Sequence, residues 1–242
     1  MDREGHLERF YKLLQRCSNR VGGPRRLKHC HGRQDWPSRG VYFFLAPAET
    51  RQSSNQLRCV RVGTHAVSSG SSTTLWSRLK QHYGTGPGSR NHPHGGNHRG
   101  SVFRKRVGEA IIERHGLHEE YPSWGRPSSS LERDRTDIRD EEYLLERRVS
   151  AYIRELPFLW VDLDDEPSAE SDRAFVERNA IAILSNCRKP TIDPRNECWL
   201  GHSSPVEEIR ESGLWNINHV AESCDPSSLE RLERAVEETT PP

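Results

Sequence analysis

The chain reads as a single α/β (α+β) domain, a small, mostly antiparallel three-stranded sheet flanked by helices and followed by a helical C-terminal tail. Three observations carry this. Runs rich in β-branched and aromatic residues are short and few, at residues 40–45, 57–62 and 158–163. Around them apolar residues recur at spacings of three and four, bounded by residues that cap helices. The 242 residues suffice for one sizeable core, and 32% hydrophobic residues with a mean hydropathy of −0.89 leave much of the chain as polar loop or tail.

In chain order, Leu7, Phe10, Tyr11 and Leu14 share one face of a helix over residues 4–16, and Gly22-Gly23-Pro24 breaks it. The runs at 40–45 and 57–62 form the two strands of a hairpin across a polar loop. Hydroxyls from Ser68 to Thr74 can cap a helix over 75–82, which Leu75 and Leu79 turn toward the core and Gly84 stops. Residues 84–100, rich in Gly, His and Asn, lack periodicity and read as an inserted loop. Ser101 caps the next helix, with Phe103, Val107, Ala110 and Ile111 as its stripe and Gly116 at its end. Residues 117–140 are polar with alternating charge, a second insertion. A helix over 141–156, the strand after Pro157 and a helix capped by Ser171 follow. In the tail, Ser204-Pro205-Val206-Glu207 reads as a capping box and Asp225-Pro226 opens a last helix. The expected organisation is an N-terminal helical segment at 1–37, a main domain at 38–200 with insertions at 84–100 and 117–140, and a helical extension at 201–242 packing on it.

The net charge of +1 hides a strong asymmetry: residues 1–116 hold 21 basic and 7 acidic side chains, and residues 117–242 hold 15 and 28. From Thr50 through Gly108 there is no acidic residue, while Arg51, Arg58, Arg61, Arg78, Lys80, Arg90, Arg99, Arg104, Lys105 and Arg106 lie inside. Such a block is a footprint for a polyanion, unless the acidic half folds against it and neutralises it. No apolar run approaches the roughly 20 residues of a membrane span, and the charged start lacks a signal peptide, so a cytoplasmic protein is expected. The six cysteines are scattered, as reduced thiols would be. Neither Cys17, His29, Cys30 and His31 nor His92, His94 and His98 match the paired spacing of a structural zinc site.

Four side chains carry candidate chemistry. Glu177 lies on the Ala174, Ile181 and Leu184 stripe of its helix, so its carboxylate needs compensation by a divalent cation or by an arginine such as Arg173 or Arg178. Arg78 and His82, four apart, share a helix face and can reach one target, the first as a phosphate fork and the second as acid, base or donor. Tyr42 begins the hairpin. The stretch from Asn97 to Ser101, running into a helix N-terminus with Arg104, reads as a phosphate-contacting loop or else as plain polar loop.

Gly40-Val41-Tyr42 on one strand, Arg61-Val62-Gly63 on the next, Arg78-x-x-x-His82 on a helix and a later helix-borne Glu177 together resemble the GIY-YIG nuclease family over roughly residues 38–186. The Arg-x-x-x-His pair is most similar to its restriction-endonuclease members. The resemblance implies a three-stranded antiparallel sheet and cleavage of DNA assisted by one Mg²⁺ or Mn²⁺. By it, Glu177 holds the metal, Arg78 stabilises the transition state, Tyr42 orients or deprotonates the attacking water, and His82 assists as base or relay. Arg61, His65, Lys80, Arg99, Arg104 and Asn216 are the expected nucleic-acid contacts. Two departures stand out: Arg61 occupies the place of the second triplet's tyrosine, and Thr64-His65 replaces the lysine often found after its glycine. The family's late asparagine is either Asn186 or Asn216. A catalytically inactive nucleic-acid-binding module of the same fold is the alternative, and salt-dependent self-association through the opposed charge halves is a third reading.

Overall fold

The computed structural model describes residues 2–241 and contains helices α1 (Arg3–Val21), α2 (Leu75–Tyr83), α3 (Val102–His115), α4 (Arg135–Glu155), α5 (Asp172–Leu184), α6 (Glu207–Ser212) and α7 (Ser227–Glu238). The strands are β1 (Arg25–Arg26), β2 (Gly40–Thr50), β3 (Leu57–Gly63) and β4 (Pro157–Asp162). Among the described residues the sheet therefore has four strands, in the order β1-β4-β2-β3 with antiparallel pairing throughout. This corrects the three-stranded expectation: β1 is two arginines paired with Phe158 and Pro157, too short and too polar to leave a strand pattern.

Strand β2 is central, and its alternation decides which side chain meets which layer. Phe43 meets Phe10 of α1, with ring centroids 5.6 Å apart, and Cys17 of α1 donates to the Trp160 carbonyl on β4. Tyr42 and Phe44 point the other way, toward His82 of α2 and Phe103 of α3. Helices α1, α5 and α7 contact one another on the first face, while α4 packs against α2 and α3 on the second. A continuous buried core runs through both layers.

The caps at Ser101, Ser171, Gly84 and Gly116 sit where the residue pattern places them. Two boundaries differ. Helix α4 starts at Arg135, inside the expected 117–140 insertion, because its cap is Asp134 and its first turns bury only Ile138, which makes no stripe. Helix α6 starts after Val206 rather than at a Ser204 capping box, since the Ser204 hydroxyl accepts only the nearby Val206 N–H. The loop over 84–100 is tied to α4: Tyr143 donates to the Pro93 carbonyl, Ser150 to the Gly95 carbonyl, and Glu146 accepts the His98 N–H. Among the described residues no helix is long and apolar enough to cross a membrane.

Candidate active site

The site lies at the end of the sheet where β2 begins and β3 ends, with α2 approaching from one face and α5 from the other. Two glycines permit it. Gly40 faces the Val161 carbonyl of β4, which an added Cβ would overlap. Gly63 stands opposite Tyr42 in the β2–β3 register, and a Cβ there would run into the phenol oxygen. Each triplet glycine is thus required by close approach, the second by the tyrosine of the first.

Tyr42 is fully buried, and its hydroxyl lies 2.7 Å from His82 Nε2. The other ring nitrogen of His82 is 2.8 Å from Ser101 Oγ, the cap of α3. His82 is enclosed too; burial first, then the positive charges of Arg78, Arg61 and Arg104, hold its pKa well below the ordinary histidine value. It is a neutral imidazole with hydrogen-bonding groups at both nitrogens.

On the opposite side, Glu177 Oε1 accepts the Thr64 N–H at 3.2 Å, and the Thr64 hydroxyl donates to the Gly40 carbonyl at 2.8 Å. Thr64 therefore ties the start of β2, the end of β3 and α5 together. The Glu177 side chain keeps some surface at solvent while its carboxylate lies deep among neighbouring atoms. Burial pushes this carboxyl above the usual range against the pull of Arg61, His219, the Thr64 amide and Arg78. Neither arginine offered as an ion-pair partner takes it: Arg173 pairs with Asp165, and Arg178 approaches Glu222 at 3.7 Å. Among the described residues no cation comes within salt-bridge distance of Glu177.

The positive charges of Arg61 and Arg78 act on both Glu177 and His82, which places both guanidinium groups in the neighbourhood of the carboxylate and of the tyrosine–histidine pair. Arg61 donates to the Trp215 carbonyl at 2.8 Å, its guanidinium carbon is 5.4 Å from the Phe103 ring centroid, and its Nε is buried without a partner. Arg78 donates to Gln81 at 2.7 Å, and its Nε is likewise unpartnered. His65 Nδ1 lies 2.8 Å from the Thr73 carbonyl, an acceptor only, so that nitrogen carries the proton. Its Nε2 is buried and unpartnered, and burial, reinforced by Arg173, Arg78 and Arg39, lowers its pKa to about 4. Asn216 spans Val62 on β3, accepting its N–H at 3.1 Å and donating to its carbonyl at 2.9 Å, whereas Asn186 serves Arg3 and Ile192. Of the two asparagines, Asn216 is the one at this end of the sheet.

Arg104 requires a correction. It is fully buried, and its Nε, Nη1 and Nη2 are all consumed within the fold by the Glu146 carboxylate and carbonyl, the His82 carbonyl and Ser150, so it has no donor left for a nucleic acid. Arg99 is committed to Glu142 through two bonds of 2.5 and 2.9 Å, and Lys80 is exposed. The acidic half does neutralise part of the basic block. Of its ten cations, Arg51, Arg99 and Arg104 pair with Asp193, Glu142 and Glu146 of the acidic half, Arg58, Lys105 and Arg106 pair with Glu49 and Glu109 of the basic half itself, and Arg61, Arg78, Lys80 and Arg90 have no carboxylate partner among the described residues. Two of those four are at the site. Thr64 and Ser101 are the residues that pattern reading missed. Ser101 is visible in sequence as a helix cap and as the end of the Asn97–Ser101 loop but not as a partner of His82, and Thr64 only as the residue after the second glycine.

A divalent cation fits this arrangement in one place, the unpaired Glu177 carboxylate. Among the described residues no cluster of three or more His, Cys, Asp or Glu could hold a metal ion, so the chain would supply one carboxylate, with substrate phosphate and water completing the shell. A family model described as the GIY-YIG domain matches residues 1–242, the whole chain. No curated protein and no solved structure matches significantly.

Proposed function

The chain belongs to the GIY-YIG family, and from that premise we propose that it is an active, metal-dependent endonuclease hydrolysing the phosphodiester backbone of DNA. The observation that supports this most is the buried 2.7 Å contact between Tyr42 and His82, at the same sheet end as a carboxylate with no ion pair. A phenol held against a neutral imidazole is a path for a proton: as Tyr42 Oη takes a proton from the attacking water, its own moves to His82 Nε2. Arg78 donates to the non-bridging oxygens of the phosphate, whose negative charge grows in the transition state. Arg61, in place of a tyrosine, adds a second uncompensated guanidinium, and its free Nε–H is a donor for the same group. Glu177 would hold Mg²⁺ or Mn²⁺, which when bound supplies Lewis-acid stabilisation of charge on the phosphate and the leaving oxygen. His65, Lys80 and Asn216 are assigned to the nucleic-acid face, Asn216 by bracing the β3 edge beside Glu177. Residues 38–200 form the catalytic unit, with 1–37 and 201–242 bracing it.

Nicking of supercoiled plasmid in Mg²⁺ or Mn²⁺ by the wild type and by Glu177→Ala tests this reading. Cleavage by the wild type alone is expected. The Arg61 substitution favours one rival, a nucleic-acid-binding module without catalysis; DNA binding with no nicking by the wild type in either metal would establish that rival instead.

A further inference from the structure

We infer that Ser101 is a positioning residue for the proposed reaction: its hydroxyl oxygen accepts Nδ1–H of His82 and so fixes the tautomer whose Nε2 lone pair faces the Tyr42 hydroxyl. The inference rests on the nuclease reading for its consequence, while the tautomer is a property of the protein without DNA.

His82 is neutral and has one N–H to divide between two contacts, Tyr42 Oη at 2.7 Å and Ser101 Oγ at 2.8 Å. Two hydroxyls therefore compete for one ring lone pair, and neither has another acceptor among the described residues. A phenol is a far stronger acid than an aliphatic alcohol, so the lone pair goes to the Tyr42 proton and the ring N–H turns to serine. Ser101 suits the acceptor role. Its oxygen already takes the Arg104 N–H as the N-cap of α3, at 3.3 Å, with its lone pairs turned toward the positive end of that helix.

The frame behind Ser101 is rigid. Arg104 donates to the His82 carbonyl at 2.8 Å, to Ser150 Oγ at 2.8 Å and to the Glu146 carbonyl at 3.1 Å, and pairs with the Glu146 carboxylate. Ser101 and Arg104, three residues apart, thus hold the side chain and the backbone of the same histidine. When the phenol O–H breaks and Nε2–H forms, Ser101 keeps accepting Nδ1–H, so proton transfer needs no rearrangement behind the ring. In the other tautomer Nε2 already carries a proton, and that transfer is blocked.

Long-range ¹H–¹⁵N correlation spectra of the His82 ring at pH 7.5, with single-turnover cleavage of DNA in Mn²⁺, test this in the wild type, Ser101→Gly and Ser101→Thr. Glycine removes the hydroxyl but largely keeps the capping function, and threonine keeps both. The wild type and Ser101→Thr should hold the Nδ1–H form and cleave within about threefold of each other. In Ser101→Gly the buried Nδ1–H is left without its acceptor, so most of the ring should pass to the Nε2–H form, whose proton Tyr42 Oη accepts; cleavage should slow about tenfold or more, and DNA affinity should not change. A wild-type ring in the Nε2–H form overturns the inference, with or without a folded variant, and so does a Ser101→Gly protein that retains both Nδ1–H and the wild-type rate. Nδ1–H in a wild type that cleaves no DNA upholds the tautomer and overturns the nuclease reading alone.

Discussion

Burial pushes Glu177, His82 and His65 each toward the neutral form, and each leaves a mark on pH behaviour. Burial raises the Glu177 carboxyl, so the folded chain takes up that proton before the unfolded chain does, and the charge is a cost to the fold at neutral pH. Glu177→Gln is expected to abolish cleavage while stabilising the protein by on the order of 1 kcal/mol, about 2–4 °C in Tm for a chain of this size. Paired activity and thermal-melt measurements check both halves; a variant that loses activity and also several degrees of Tm would mean that the carboxylate is a structural contact. The histidines have the opposite sign. Their folded pKa values are lowered, to about 4 for His65, so the unfolded chain binds the protons first. Their stability contribution is intact above about pH 6.5 and is lost as pH falls through that value, at up to about 1.4 kcal/mol per pH unit for each proton. Over part of this window Glu177 opposes the loss with one proton. Melts between pH 7.5 and 4.5 should show the decline, and His65→Asn, which keeps a donor for the Thr73 carbonyl, should flatten it by one proton's worth.

At the scale of elements, the site depends on how strand β3 ends. Asn216 replaces a neighbouring strand by satisfying both backbone groups of Val62, and the Trp215 N–H donates to the Val60 carbonyl at 2.8 Å. Asn216→Ala leaves a buried donor and acceptor unmet and should cost about 2 kcal/mol in urea denaturation, with faster exchange of the Val62 amide. Gly63→Ala overlaps the buried Tyr42 ring, so it should cost about 1–3 kcal/mol of stability and push the phenol away from His82, slowing cleavage about 100-fold or more in single-turnover assays. Much of this was legible in the residues. The β2–β3 hairpin, the caps of α2, α3 and α5, and the elements that carry Tyr42, Arg78, His82 and Glu177 follow from period and spacing, while the grouping of those four into one site came from the family resemblance. What stayed hidden is contact at long range. Nothing local says that Asn216 reaches a strand 154 residues away, that Arg104 is consumed by Glu146, or that Ser101 caps a helix and a histidine ring with one oxygen. Strand β1 and the start of α4 escaped because neither carries an apolar repeat.

Across the whole molecule the opposed charge halves resolve into structure and function. Acidic side chains of α4 pair with Arg99 and Arg104, and Glu8 and Asp193 pair with Arg51, whereas Arg61 and Arg78 at the site have no carboxylate partner among the described residues. DNA affinity should therefore fall with salt, and Arg78→Ala should reduce the log–log slope by about 0.9, the contribution of one neutralised phosphate. Arg104→Ala should lower stability by leaving the buried Glu146 carboxylate without its arginine and leave that slope unchanged, a contrast that filter binding from 50 to 200 mM salt reads directly. The central claim is that one phenol, one imidazole, the guanidinium groups and one carboxylate act together on a single phosphate. Single-turnover cleavage of DNA by Tyr42→Phe, which removes one oxygen from a fully buried ring and nothing else, tests it most directly. The expected result is a rate at least about 100-fold below wild type with DNA affinity unchanged; cleavage at the wild-type rate would contradict the account.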